Sequence, residues 1–199
     1  MLFRSGYVFN HPESIFDAFN SVTAKLTQGQ AYEENEEYFL QGINEISLKS
    51  RRTHLELVPY QGSTLKIVLA GKIPRFEQGP FIAQIDEDPS RVVVQFHEPL
   101  ASNWVHININ GHESSSVSDS VLNAKIYIPK TFKGLINIAN VEGAVDMQAP
   151  SDKMYEFELQ SNSGHIENQM EGKVFDGVKP EDVGKIKITT TSGNITIKN

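Results

Sequence analysis

Three stretches of this chain share one frame, and that frame limits what the chain can fold into. Counted from a glycine at a corner, apolar residues stand seven and five positions before it and two positions after it. For Gly193 these are Ile186, Ile188 and Ile195; for Gly164, Phe157, Leu159 and Ile166; for Gly143, Ile136, Ile138 and Val145. A fourth copy fits Ile46, Leu48, Leu55 and Leu57 if Thr53 takes the glycine position. Apolar residues at every second position give a strand one inward face. The glycine is expected to supply the positive φ that other residues resist. The corner glycines lie 21 and 29 residues apart, and similar frames at such intervals mark repeat or solenoid architectures, in which each unit buries its apolar face against its neighbours.

The rest of the chain reads as follows. Leu2 to Phe9 fits a short strand, and Pro12 opens a helix whose Ile15, Phe16, Phe19, Val22 and Leu26 form one apolar stripe. That helix is expected to cover the open end of a β stack. Glu33, Glu34, Glu36 and Glu37 read as a solvated acidic connector. Strands are predicted at Ile46 to Lys49, His54 to Val58, Leu65 to Leu69, Phe81 to Ile85, Val92 to Phe96 and Trp104 to Ile109. Asn110-Gly111 is a strong turn signal, and the polar run His112 to Ser120 reads as a loop. The expected fold is thus all-β, with residues 1–42 as an N-terminal strand, helix and connector and 43–199 as the β domain.

From Ala124 a family likeness becomes visible. A strand ending in Ile128-Pro129-Lys130, then Gly134 leading Leu135 to Ile138, then Val141-Glu142-Gly143-Ala144-Val145, resembles the bacterial "putative-adhesin" family of β-solenoid domains. Ser163-Gly164-His165-Ile166 and Ser192-Gly193-Asn194-Ile195 are similar to that family's Ser-Gly-Asp/Asn-Ile/Val corner, with His165 in place of the acid or amide. The likeness covers about Ile43 to Asn199. It implies a right-handed β-helix or β-roll-like solenoid and an adhesin-like role, and it brings no catalytic residues.

Composition narrows the function. Net charge is −7, with −4 in residues 1–100 and −3 in residues 101–199, so no basic face is implied and nucleic acid is not an expected partner. The absence of cysteine excludes disulfides, thiolate metal sites and cysteine nucleophiles. No stretch approaches the roughly 20 apolar residues of a membrane helix, and Met1 to Asn10 lacks the pattern of a secretory signal. As written the chain reads as cytoplasmic, or as a cell-surface protein from which an export signal has been trimmed.

Reactive groups are scattered. His106, His112 and Glu113 are the first candidates for a metal site, but ligands must converge at about 2 Å and nothing in their spacing fixes that. His54, His97 and His165 are expected on solvent faces or in hydrogen-bonded corners. There is no Gly-x-Ser-x-Gly elbow and no phosphate-binding glycine loop. Glu156, Glu158 and Glu167 occupy polar positions of adjoining repeats, where an outer face would align carboxylates, and a polysaccharide-cleaving enzyme is suggested only by analogy with other parallel β-helices. Asn194-Ile195-Thr196 matches a glycosylation sequon but reads first as a corner. The expectation is a non-enzymatic module with no catalytic, cofactor or metal residues, binding a protein or a glycan along rows of outward polar side chains. The alternative is a self-associating scaffold: the copy ending at Lys198 has no cap after it, which would leave the C-terminal strands open to another molecule.

Overall fold

A computed structural model describes residues 29–75, 77–85, 88–99, 105–109, 112–116, 121–150, 152–170, 179 and 182–199. The predicted strand at Leu2 to Phe9 and the helix from Pro12 to Leu26 lie outside them, as does most of the loop expected around Asp176 to Val183. The described residues form fifteen strands and no α-helix: β1 (Gln30–Phe39), β2 (Glu45–Ser50), β3 (His54–Tyr60), β4 (Thr64–Ile73), β5 (Ile82–Ile85), β6 (Arg91–Phe96), β7 (Val105–Ile109), β8 (His112–Ser116), β9 (Val121–Pro129), β10 (Leu135–Asn140), β11 (Val145–Gln148), β12 (Tyr155–Ser161), β13 (Ile166–Asn168), β14 (Gly184–Thr190) and β15 (Ile195–Lys198).

The chain divides into two compact units. The smaller holds the ends of β1 and β4 and the β7–β8 pair. Within it, Gln30 Nε2 donates to the carbonyls of Pro74 (3.5 Å) and Glu77 (3.0 Å). β7 and β8 pair antiparallel with Ile109 opposite His112. Half of the predicted loop is therefore a strand, since a β-hairpin register here overrides the serine-rich composition.

The larger unit comprises residues 32–71, 78–98 and 121–199. One sheet has the order β1-β4-β9-β3-β11-β15-β13 and the other β12-β14-β10-β2-β6-β5. From β12 to β6 and from β13 to β9 every neighbour is parallel, whereas β5 is antiparallel to β6, so the second sheet is mixed.

The residues aligned by the corner frame stand side by side. Phe157, Ile186, Ile136, Ile46 and Val92 form one inward rung of the second sheet, and Leu159, Ile188, Ile138, Leu48 and Val94 the next. Ile166, Ile195, Val145, Leu55 and Ala124 form the matching rung of the first sheet. Inside these rows Ile46, Leu48, Ile138, Ile188, Ile195 and Leu55 are completely buried. Each such side chain contributes about 1.5–3 kcal/mol of transfer free energy.

Two expectations are corrected here. First, chain order is not spatial order: β14 lies between β10 and β12, and β15 between β11 and β13. The C-terminal strands therefore have both edges occupied and offer no free strand edge for the self-association expected there. Among the described residues the end of this run belongs to β12 and β13. Second, the corner glycines do not supply a positive φ, which Gly42 does at 80°. They permit contact instead. A Cβ on Gly193 would press into the carbonyl of Gly143, one on Gly164 into that of Gly193, and one on Gly143 into that of Thr53. At the fourth corner the carboxylate of Glu98 accepts from the Arg52 and Thr53 amides.

A polar rung lies three residues before each corner position, and three of its four members secure their corners, whereas Ser50 Oγ is buried without a hydrogen-bond partner among the described residues. Ser50, Asn140, Thr190 and Ser161 are in register. Asn140 Oδ1 accepts from Gly143 N (3.2 Å), Thr190 Oγ1 donates to the Gly193 carbonyl (2.7 Å), and Gly164 N donates to Ser161 Oγ (2.9 Å). Buried backbone groups at a sharp bend need such partners.

Candidate binding surface

The outward face of the seven-stranded sheet carries the densest set of interacting polar and aromatic groups. Its register aligns Glu167, Thr196, Asp146, Glu56 and Lys125. His54 Nε2 meets Asp146 Oδ2 at 2.7 Å, and Lys125 Nζ meets Glu56 Oε1 at 3.3 Å. Lys125 also stands over the Tyr127 ring at 5.9 Å, and Lys66 over the Tyr60 ring at 5.9 Å. The two tyrosines meet edge to face, 6.0 Å between centroids. At the far side Thr64 Oγ1 donates to Glu37 Oε1 (2.5 Å) and Lys66 Nζ lies 3.4 Å from the same oxygen. The Thr64 hydroxyl holds the Glu37 carboxyl below its ordinary range against desolvation, the next largest effect, and Lys66 adds a lesser lowering. From β1 to β15 this ribbon crosses five strand spacings, about 24 Å.

The acidic run at Glu33 to Glu37 is part of strand β1 and not a connector. Glu34 works as a staple: its carboxylate accepts from Tyr32 OH (2.7 Å), Phe81 N (2.8 Å) and Ile82 N (3.2 Å), and Tyr32 packs edge to face on Phe81 at 5.1 Å. Burial, then the hydrogen bond to Glu34 and its charge, push the Tyr32 phenol up to about 12. Burial, then Glu36 and Glu34, push Tyr38 up to about 12 as well.

Two open clefts share Ile43. One, about 610 Å³, is lined by Tyr38, Phe39, Gln84, Asp88 and Arg91 among others. The other, about 560 Å³, is lined by Leu40, Asn44, Phe132 and Lys133 among others. Phe39 is 82% exposed at the rim of the first.

The residues singled out in the sequence are placed as follows. The β7–β8 register sets His106 opposite Ser115, Asn108 opposite Glu113 and Ile109 opposite His112, so the two histidines occupy different rungs. His165 is a corner residue whose amide donates to Asn194 Oδ1 at 2.9 Å, which gives the sequon asparagine a structural task. His97 extends β6, its amide donating to the Phe81 carbonyl at 2.7 Å. Glu158 is held by Lys187 at 2.6 Å, and Glu167, on the other sheet, accepts from Gln169 Nε2 at 2.9 Å. Sequence reasoning missed the tyrosine–lysine ribbon, although alternation through Lys125-Ile126-Tyr127 already put Tyr127 on the outward side.

No protein-family model matches this sequence. No curated protein sequence matches it either. Among solved structures it is similar to one described as a "putative cell adhesion protein" from Clostridium sporogenes, at 13% identity and TM-score 0.42, over 85% of this chain and 99% of the other. It is also similar to a "putative adhesin" from Parabacteroides distasonis, at 9% identity and TM-score 0.31, over 85% of this chain and 68% of the other. Among the described residues, no helix is long and apolar enough to cross a membrane.

Proposed function

We propose that the chain is a non-enzymatic, adhesin-like binding module whose larger unit is a right-handed β-solenoid and whose ligand is a glycan. The solenoid reading is supported by strand–corner–strand units that return parallel in each sheet, because parallel crossovers of this kind are right-handed. The glycan reading rests on the outward ribbon: Tyr60 and Tyr127 offer ring faces and edges for the apolar side of a sugar, while Glu37, Glu56, Lys66, Lys125 and Asp146 offer donors and acceptors for its hydroxyls. Glu37 and Glu56 already have the oppositely charged Lys66 and Lys125 beside them, and Asp146 meets His54, an arrangement suited to holding a neutral polar ligand more than to moving protons.

The test is a glycan array probed with the full chain, followed by titration of any glycan that binds. Tyr127→Ala should weaken binding by roughly tenfold, the loss expected when one aromatic contact surface is removed, while thermal stability stays near that of the parent. Binding left unchanged by both Tyr127→Ala and Lys125→Ala would move the site off this ribbon.

A further inference from the structure

Both sheets run out at the same place. Among the described residues β12 is paired along one edge only, by β14, and β13 only by β15. The inward rungs show the consequence. Ile186 and Ile188 are buried, yet Phe157 and Leu159, the next members of the same rows, are half-exposed. Ile195 is fully buried, and its neighbour Ile166 is 37% exposed. Among the described residues no further strand covers these rows, and the outer edge of β12 carries backbone donors and acceptors suited to pairing.

Charge identifies what fits. Beside β12 the outward residues are Glu156 and Glu158, and the strand already paired with it answers with Lys185 and Lys187, in register and alternating with Ile186 and Ile188. Lys187 meets Glu158 at 2.6 Å, with 68% of the glutamate side chain still exposed. A second strand of the same kind would find the same glutamates from the other side. Among the described edge strands of the two larger sheets, a second copy provides none: β1 brings Glu33, Glu34, Glu36 and Glu37, β5 (Ile82–Ile85) and β13 (Ile166–Asn168) bring no base, and β12 set against itself opposes glutamates.

We propose that the β12–β13 edge is a docking site for an extended segment of a partner protein in which Lys or Arg alternates with Val, Ile or Leu. The segment adds a strand beside β12, its apolar residues covering Phe157 and Leu159 and its bases meeting Glu156 and Glu158. This site is independent of the glycan ribbon.

The experiment is fluorescence anisotropy of the full chain with a labelled peptide Ser-Arg-Val-Arg-Val-Thr-Thr, against the acidic counterpart Ser-Glu-Val-Glu-Val-Thr-Thr. The basic peptide should bind saturably and the acidic one should not. The double variant Glu156→Gln/Glu158→Gln should bind the basic peptide roughly tenfold more weakly, the size of two lost exposed charge pairs. Glu156→Lys/Glu158→Lys should instead favour the acidic peptide, a reversal that mere loss of structure would not produce. Equal binding of both peptides, or indifference to the substitutions, overturns the proposal. So does a dimer of the chain alone, seen by light scattering and abolished by Ile166→Lys, because the edge would then belong to a second copy.

Discussion

Asn140 Nδ2 donates a 2.9 Å hydrogen bond to the carbonyl of Thr53, a residue 87 positions earlier in the chain. The same side chain accepts from Gly143 N, so one buried amide closes its own corner and fastens it to the neighbouring one. Asn140→Ala would leave the buried Thr53 carbonyl unpaired, while Gly143 N keeps its 3.2 Å bond to the Arg51 carbonyl. At about 1–3 kcal/mol for one such group, urea denaturation should show a loss of that size.

The corner glycines give a sharper comparison. Gly193→Ala forces a methyl group against the backbone carbonyl of Gly143, and overpacking of this kind costs about 1–3 kcal/mol. Gly42→Ala meets nothing within 4 Å but sits at φ 80°, so it is expected to cost about 1 kcal/mol from backbone strain alone. Gly42→Asn should recover part of that loss, because asparagine tolerates left-handed backbone, whereas Gly193→Asn should not. Chemical denaturation of the four variants separates the two mechanisms.

Leucine and isoleucine in one rung are not equivalent. Ile188→Ala, at a fully buried position, should cost about 2–5 kcal/mol by cavity formation. Leu159→Ala, beside it in the end strand and half-exposed, should cost less than half as much. Equal losses would mean that the end of the sheet is covered.

Glu37 provides a pH test. Its folded carboxyl titrates below its ordinary value of 4.5, chiefly through the Thr64 hydroxyl. With the folded value depressed, this contribution to stability is present above the ordinary carboxyl range and is lost as pH falls through the folded value. NMR titration of the Glu37 side chain should show the depressed midpoint, and Thr64→Val should return it towards 4.5.

Tyr38 supplies the alkaline counterpart. Burial and the neighbouring Glu36 and Glu34 charges hold its phenol at about 12, so ultraviolet difference spectra should lose one late-titrating tyrosine in Tyr38→Phe. Glu36→Gln should lower that midpoint by a smaller amount than exposure of the ring would.

The alternation of apolar residues made the inward rungs legible in the sequence, down to the register of Ile46, Ile136 and Ile186. It did not disclose which strand lies beside which. Phe157, Ile136 and Ile186 all satisfy the same inward position, so periodicity leaves their order open. The outward residues carry the missing information: Lys185 and Lys187 match Glu156 and Glu158 on one side and tolerate Leu135 and Asn137 on the other. The reason for each corner glycine was hidden for a related cause. Its constraint comes from a carbonyl contributed by another corner, not from its own backbone angles. The tyrosine–lysine ribbon draws on β3, β4 and β9, and residues so far apart in sequence form a surface only once the sheet order is known.

The interleaving of β14 and β15 between earlier strands makes the C-terminal segment a keystone. β12 and β13 leave the ribosome first, yet the surfaces they pair with are made last. Until residues 184–198 arrive, Phe157 and Leu159 have no row to join and β10 has one edge bare. Removal of this segment would therefore take out a middle course of the wall and set β12 and β13 adrift, so a shortened chain would lose two layers where its sequence appeared to lose one.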